Sequence, residues 1–298
     1  MIDKRILEFQ TALCVDGDKE YIRVENIRKK IEKCNKQYNN EQATHIPVVP
    51  EIIKFSELKN STLYRENYKI PIGISYNTVQ YQMLDISKVG LLATFGREKK
   101  GKTNFVKHIF CGIHNNIFGT LTEAYIINDA ERSLANLAEY GFVERYTTDI
   151  SELEIIIDKL EKVLLDRQEK MTEDMNYSIE EQPLLLLVVE NARIFDVLQN
   201  NKELASKITQ MIKQYKKYKF AVILSAIENV AVPFSASEFM KFVKDNKKFV
   251  VFEELANIKF FDVTVKQIKD NSKPLDIGDA FVCFEGDIQR IKTIYVEE

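Results

Sequence analysis

Gly96-Arg97-Glu98-Lys99-Lys100-Gly101-Lys102-Thr103 fits the pattern G-x-x-x-x-G-K-[ST] without a mismatch. In such a loop the glycines let the backbone curl until successive N–H groups point inward as an anion nest. A helix starting near the lysine adds its positive end. Lys102 then reaches the β- and γ-phosphates of a nucleoside triphosphate, and the Thr103 hydroxyl ligates Mg²⁺. Gly96 to Thr103, with Asn104 next along the helix, are therefore the candidate nucleotide-binding residues, and ATP and Mg²⁺ are the expected ligands. Arg97 and Lys100 either touch phosphates or remain solvated loop charges.

Hydrolysis requires a second element: a strand ending in an aspartate that helps hold Mg²⁺, beside a glutamate that polarises the attacking water. The candidate is "PLLLLVVENARIFD". Aligned at the end of its apolar run, Glu190 takes the aspartate position and Asn191 the glutamate position. Slipped by one, Val189 and Glu190 take those places. The first register is preferred because it keeps the apolar run whole. An asparagine cannot act as a carboxylate base, and a valine cannot support a metal-bound water, so neither register supports robust turnover. Glu190 is the candidate catalytic carboxylate of an impaired site, or else a polar residue where a strand meets solvent.

Other residues have weaker claims. Asp129, after "AYIIND", either faces the site or caps the segment begun by "AERSL". Ser225, ending "FAVILS", either senses the γ-phosphate or terminates a strand. His108, Cys111 and His114 lie three apart on one helix, cannot all converge on one ion, and are not expected to hold a metal. "KQYKKYK" (Lys213 to Lys219) reads as a solvated helix end rather than a nucleic-acid patch.

The elements that must position these residues show in the hydrophobic pattern. A strand-like "FQTALCV" and a "DGD" turn precede a helix in which Val24, Ile27, Ile31 and Cys34 recur at helical spacing. Pro47, Pro50 and Pro71 exclude a long helix from the next passage. Val79, Tyr81 and Met83 alternate with Gln80 and Gln82, as in a half-buried strand. From Val89, apolar runs ("VGLLATF", "AYIIND", "PLLLLVV", "FAVILSAI", "KFVVFE") alternate with helical segments. These segments follow Lys102 and include "SLANLAEYG", "ISELEIIIDKLEKVLLDRQEK" and "ELASKITQMIKQYKKYK". "EKMTEDMNYSIEEQ" reads as an exposed loop, and "GDAFVCFEGDIQRIKTIYVEE" as a hairpin finishing the sheet edge. Near-continuous apolar strands between amphipathic helices predict an α/β fold with a mostly parallel sheet covered on both faces. The expected division is residues 1–85 as a small N-terminal α/β segment and 86–298 as the core.

The bulk composition agrees. A chain of 298 residues, 45% hydrophobic and 29% charged, is ordinary for a globular protein, and a net charge of −3 offers no basic footprint for nucleic acid. The longest apolar run, Leu184 to Val189, is too short to cross a bilayer, which needs about 20 residues. "MIDKRILEFQ" lacks the apolar stretch of a signal peptide. The four cysteines form no CxxC pair and read as reduced structural thiols.

"EFQTAL", "IPVVPEII", "PIGISYNTVQYQMLDI", "GLLATFGREKKGKTN" and "IGDAFVCFEGDIQRIKT" together resemble the FtsK/SpoIIIE class of ring ATPases. More narrowly, they are similar to the last ATPase domain of the EssC family, the membrane-anchored motors of type VII secretion in Gram-positive bacteria. The resemblance implies a RecA-like P-loop fold and places the chain on the cytoplasmic side of the cell membrane, as the C-terminal part of a longer polypeptide. It also implies partners. These are WXG-type helical-hairpin secretion substrates, larger effectors, and neighbouring ATPase domains, with a hexameric ring as one arrangement; nucleic acid is not expected. "VVEN" departs from the family's Asp-Glu pattern, so the expected function is ATP binding with weak or no hydrolysis, joined to substrate recognition. The alternatives are an active translocase of protein or DNA and a nucleotide-free docking scaffold.

Overall fold

The computed structural model describes residues 14–37, 47–66, 68–115, 121–284 and 286–297. Two compact units result, Met1–Pro47 and Val48–Glu298. In the first, α1 (Glu20–Gln37) forms where the helical spacing placed it, and no residue of it is buried. The strand expected over "FQTALCV" lies outside the described residues except for Cys14 and Val15, which form a bend.

The second unit begins with β1 (Ile53–Lys54), α2 (Phe55–Leu58), β2 (Lys69–Ser75), β3 (Tyr81–Asp85) and α3 (Ile86–Val89). β4 (Leu91–Gly96) and α4 (Lys102–Asn115) then flank the glycine-rich loop. β5 (Thr122–Ile127), β6 (Val143–Thr147), α5 (Leu153–Glu173) and β7 (Leu184–Glu190) follow. The chain continues through α6 (Ile194–Asn200), α7 (Lys202–Tyr215), β8 (Phe220–Ile227), α8 (Glu238–Asn246) and β9 (Lys248–Phe252) to α9 (Val265–Asp270), β10 (Asp279–Phe284) and β11 (Asp287–Tyr295).

One sheet runs in the order β3-β2-β11-β10-β9-β4-β8-β7-β5-β6, with β1 added in parallel on the end of β11. From β9 through β6 every pairing is parallel, and from β3 to β9 every pairing is antiparallel. Both faces are covered, which explains the unbroken apolar strands. Leu184, Leu186 and Val188 of β7 enter the core shared with α4, whereas Leu185, Leu187 and Val189 enter the core shared with α5 to α8.

Several elements depart from the sequence pattern. The β10–β11 hairpin does not finish the sheet edge, because β2 pairs outside β11 and β3 lies beyond β2. β3 starts at Tyr81, since Val79 sits at φ 53° in the preceding turn. "SLANLAEYG" forms only a 3₁₀ turn over Ala135–Glu139. Leu134 and Leu137 are its buried anchors, and the turn ends where Tyr140 becomes extended at φ −70° and ψ 128°. α5 continues through "EKMTE", so the exposed loop begins at Asp174. β6 is a mixed polar edge strand with no apolar run to announce it. Residues 53–85, expected within the N-terminal segment, supply strands to the main sheet, and the compact units divide at Pro47/Val48. No described helix is long and apolar enough to cross a membrane.

Candidate nucleotide site

The loop between β4 and α4 departs the sheet at its centre, between β9 and β8. Its start is fixed by contact: a Cβ on Gly96, at φ 133°, would lie 2.6 Å from the backbone C and O of Phe252. Gly101 adopts φ 119° and Lys99 φ 58°, so the loop curls through the left-handed region. The first helical bond runs from the Phe105 N–H to Gly101 O, at 2.9 Å. From Glu98 through Asn104 the backbone N–H groups have no protein acceptor among the described residues. Lys100 to Asn104 are half-buried, where donors without partners are unfavourable, and a run of free donors at a helix start suits an anion.

The side chains of the loop divide by task. Lys102 Nζ donates to Gly96 O and Arg97 O, each at 2.7 Å, folded back over the curl it would serve. Burial lowers its pKa, against the pull of Glu98, Glu190 and Glu253. Thr103 Oγ1 donates to Glu190 Oε1 at 2.7 Å. Arg97 is drawn away to Glu254 (3.1 Å) and Glu253 (3.6 Å). Lys100 Nζ donates to Leu275 O at 3.2 Å, and Lys100 O accepts from the Gly278 N–H at 3.3 Å. The Asn104 amide donates to Ile294 O (2.8 Å) and accepts from the Val296 N–H (2.9 Å), leaving only its backbone for a ligand.

Glu190, at the end of β7, is 3% exposed. Its Oε1 also accepts from Ser133 Oγ at 3.1 Å, and its Oε2 has no partner. Burial raises its pKa above the usual carboxylate value, while the Thr103 and Ser133 hydroxyls oppose that rise. The sequence holds no local signal for Ser133, which reaches the site from the turn after β5. Asn191 faces elsewhere: its amide donates to Asn128 O at 3.4 Å, and its Oδ1 accepts from the Arg193 N–H at 3.0 Å. Asp129 accepts from the Glu131 N–H at 3.0 Å, a turn cap. Ser225 Oγ accepts from Thr94 Oγ1 at 3.1 Å, one buried strand to the next.

The other candidates are held apart from this cluster. His108 is fully buried with Nε2 on Pro71 O at 2.7 Å, and Cys111 Sγ lies 3.4 Å from the Tyr140 hydroxyl. Lys219, the end of the lysine run, is not solvated: it is 5% exposed and its ammonium donates to Glu180 O and Gln182 O.

The residues fit a magnesium nucleotide. Free N–H groups would cradle phosphate, a lysine is held by loop carbonyls, and a hydroxyl meets a buried carboxylate that has one oxygen unpartnered. Thr103 and Glu190 would hold Mg²⁺, which would supply charge stabilisation at the phosphate oxygens. A strand–loop–helix unit at the middle of a parallel sheet, facing a carboxylate on a nearby strand, is the architecture of RecA-like P-loop NTPases.

No family model matches the chain. The ESX secretion system protein EccC of Geobacillus thermodenitrificans is 21% identical over 240 residues, spanning 78% of this chain and 15% of that protein. Among solved structures, EssC (ATPases 2 and 3) from Geobacillus thermodenitrificans superposes with a TM-score of 0.71 at 20% identity, covering 95% of this chain and 52% of that one. Thermomonospora curvata EccC (ATPases 2 and 3), solved in complex with a signal sequence peptide, gives 0.65 at 17% identity, covering 95% of this chain and 50% of that one. At these identities the likeness shows a shared fold, and the chain spans about half or less of the length of the proteins it matches.

Proposed function

We propose that this chain is a degenerate ATPase domain of a type VII secretion motor. It binds Mg·ATP through Gly96 to Asn104 with weak or no hydrolysis, and it recognises secretion substrates. The observation that supports the reading is the pairing of Thr103 with Glu190 at 2.7 Å while the next residue, Asn191, offers an amide engaged by Asn128 and Arg193. The metal-holding half of the acid pair has a residue in place, and the half that would activate water has none. Hydrolysis needs both; binding needs only the cradle, the lysine and the metal. In this reading residues 48–298, which carry the main sheet, form the ATPase core, on the cytoplasmic side of the membrane and beside further ATPase domains. A relative solved with a signal sequence peptide supports docking of secretion substrates, for which WXG-type hairpins are the proposed class.

The test is Mg·ATP affinity and turnover for the chain beside Lys102→Ala. The parent is expected to bind, the variant to lose binding, and both to hydrolyse at background. Turnover of about 1 s⁻¹ or faster refutes the degenerate reading, and absence of binding in the parent leaves a docking scaffold. Retention of a WXG-type dimer on the immobilised chain is the expected result for the partner, and its absence overturns that half.

A further inference from the structure

A cavity of about 420 Å³ opens beside the phosphate loop, with Gly101 to Asn104 along one side. That volume suits one small organic group. Its apolar walls come from three distant stretches of chain: Ile52 and Ile53 at β1, Ile277 ahead of β10, and Tyr295 at the end of β11. Ile52, Ile277 and Tyr295 are 59%, 74% and 48% exposed, a cluster of wet apolar surface at a concave place.

The polar side chains of the same walls are already engaged. Lys292 Nζ donates to Ile277 O (2.9 Å) and pairs with Asp279 Oδ1 (3.2 Å). Thr293 Oγ1 donates to Gly278 O (2.7 Å), and the Asn104 amide holds the backbone of β11 and the residues after it. Lys102 is held by Gly96 O and Arg97 O, and Glu51 and Lys99, the other charged residues beside the cavity, are exposed. A hydrogen bond there competes with water and adds little discrimination.

In a phosphate loop the N–H groups at the helix start cradle the α- and β-phosphates. The nucleoside therefore leaves the loop on the side of Thr103 and Asn104, where this cavity lies. We propose that the cavity is the nucleoside pocket of the loop, and that it reads a purine by apolar contact rather than by hydrogen bonds, with little discrimination between adenine and guanine. The inference rests on the nucleotide-binding reading above and deepens it. A pocket built to hydrogen-bond one base rejects its analogue strongly, because buried polar groups are left unpaired; a pocket that offers only contact area discriminates weakly.

Calorimetry on the full chain with Mg·ATP, Mg·GTP and magnesium tripolyphosphate tests this, beside the double variant Ile52→Ser/Ile277→Ser. Both positions are exposed, so the variant leaves the core intact. ATP and GTP are expected within about fivefold of each other. Tripolyphosphate is expected to bind about tenfold or more weakly, for want of apolar contact. The double variant is expected to lose that nucleoside advantage, leaving tripolyphosphate affinity unchanged. Equal affinity for tripolyphosphate and ATP, a preference of roughly a hundredfold between the purines, or unaltered ATP binding in the variant overturns the pocket while sparing the loop. Failure of the parent to bind any of the three overturns both readings.

Discussion

Replacing Glu190 by glutamine removes a buried negative charge and keeps an oxygen for the Thr103 and Ser133 hydroxyls. Two effects compete in the nucleotide-free protein. The hydroxyl bonds fall from the charged range, about 1.5–3 kcal/mol each, to about 1 kcal/mol each. Against that, the desolvation of a carboxylate costs several kcal/mol in practice, and an unpartnered buried oxygen adds about 1–3 kcal/mol. The direction of the Glu190 shift shows that desolvation wins, since burial is its largest cause and the pKa lies above its ordinary 4.5. Glu190→Gln is therefore expected to stabilise the nucleotide-free protein at pH 7 by about 1–2 kcal/mol, or roughly 2–8 °C in Tm for a unit of this size. The pH dependence carries the sign. A carboxyl whose folded pKa is raised favours the folded state most below pH 4.5, and that contribution is lost as the pH rises through the folded value. The glutamine variant has no such loss, so the gap opens above pH 4.5 and is widest near neutrality. Thermal denaturation from pH 4.5 to 8 measures it, and calorimetry of ATP with and without Mg²⁺ should show the metal's contribution reduced in the variant. A variant that melts below wild type at pH 7 would make the carboxylate a net structural stabiliser and refute the reasoning.

Two further substitutions probe the loop and the helix behind it. Gly96→Ala places a methyl 2.6 Å from the Phe252 backbone at φ 133°, where the neighbour cannot yield, and is expected to cost about 2–3 kcal/mol in urea denaturation and to abolish ATP binding. His108 is held neutral by burial, its pKa pushed down from 6.5 to about 4 despite the bond to Pro71 O. A lowered histidine pKa gives stability that is complete above pH 6.5 and lost as pH falls through about 4, on the order of 3 kcal/mol in all. His108→Gln keeps a donor for Pro71 O and should flatten that acid limb in denaturant titrations between pH 7 and 4; an unchanged limb would assign the loss to other groups.

The loop could be read from eight adjacent residues because each of its demands is local: curl, donor run, lysine, hydroxyl. The parallel strands were legible for a different reason, since a strand buried on both faces must be apolar at every position, as "LLLLVV" is. Elements set by tertiary context were not. β6 lies at an edge and carries Glu144 and Arg145, so neither periodicity nor propensity announces it. Nothing local shows that β2 and β3 will pair outside the final hairpin, because that choice depends on which edge β11 offers. Ser133 reaches Glu190, and Glu253 and Glu254 reach the loop, from turns far from it along the chain, and the expected ligand contact Asn104 spends its amide on β11 and the residue after it.

Under the proposed function, those same distant contacts would give ATP binding a consequence without hydrolysis. Arg97 ties the loop to the end of β9 through Glu254, Lys100 ties it to the segment before β10, and Asn104 ties α4 to the end of β11. A ligand bound only to the folded loop stabilises the protein by RT ln(1 + [L]/Kd), about 2.7 kcal/mol at a hundredfold excess over Kd. That free energy acts on every segment the loop holds in place. Turnover would release it with each cycle, whereas a site lacking the water-activating carboxylate keeps it as long as nucleotide is present. A cradle beside Asn191 is thus consistent with the proposed function, in which the residues that bind and brace are present and the group that would undo the bracing is an amide.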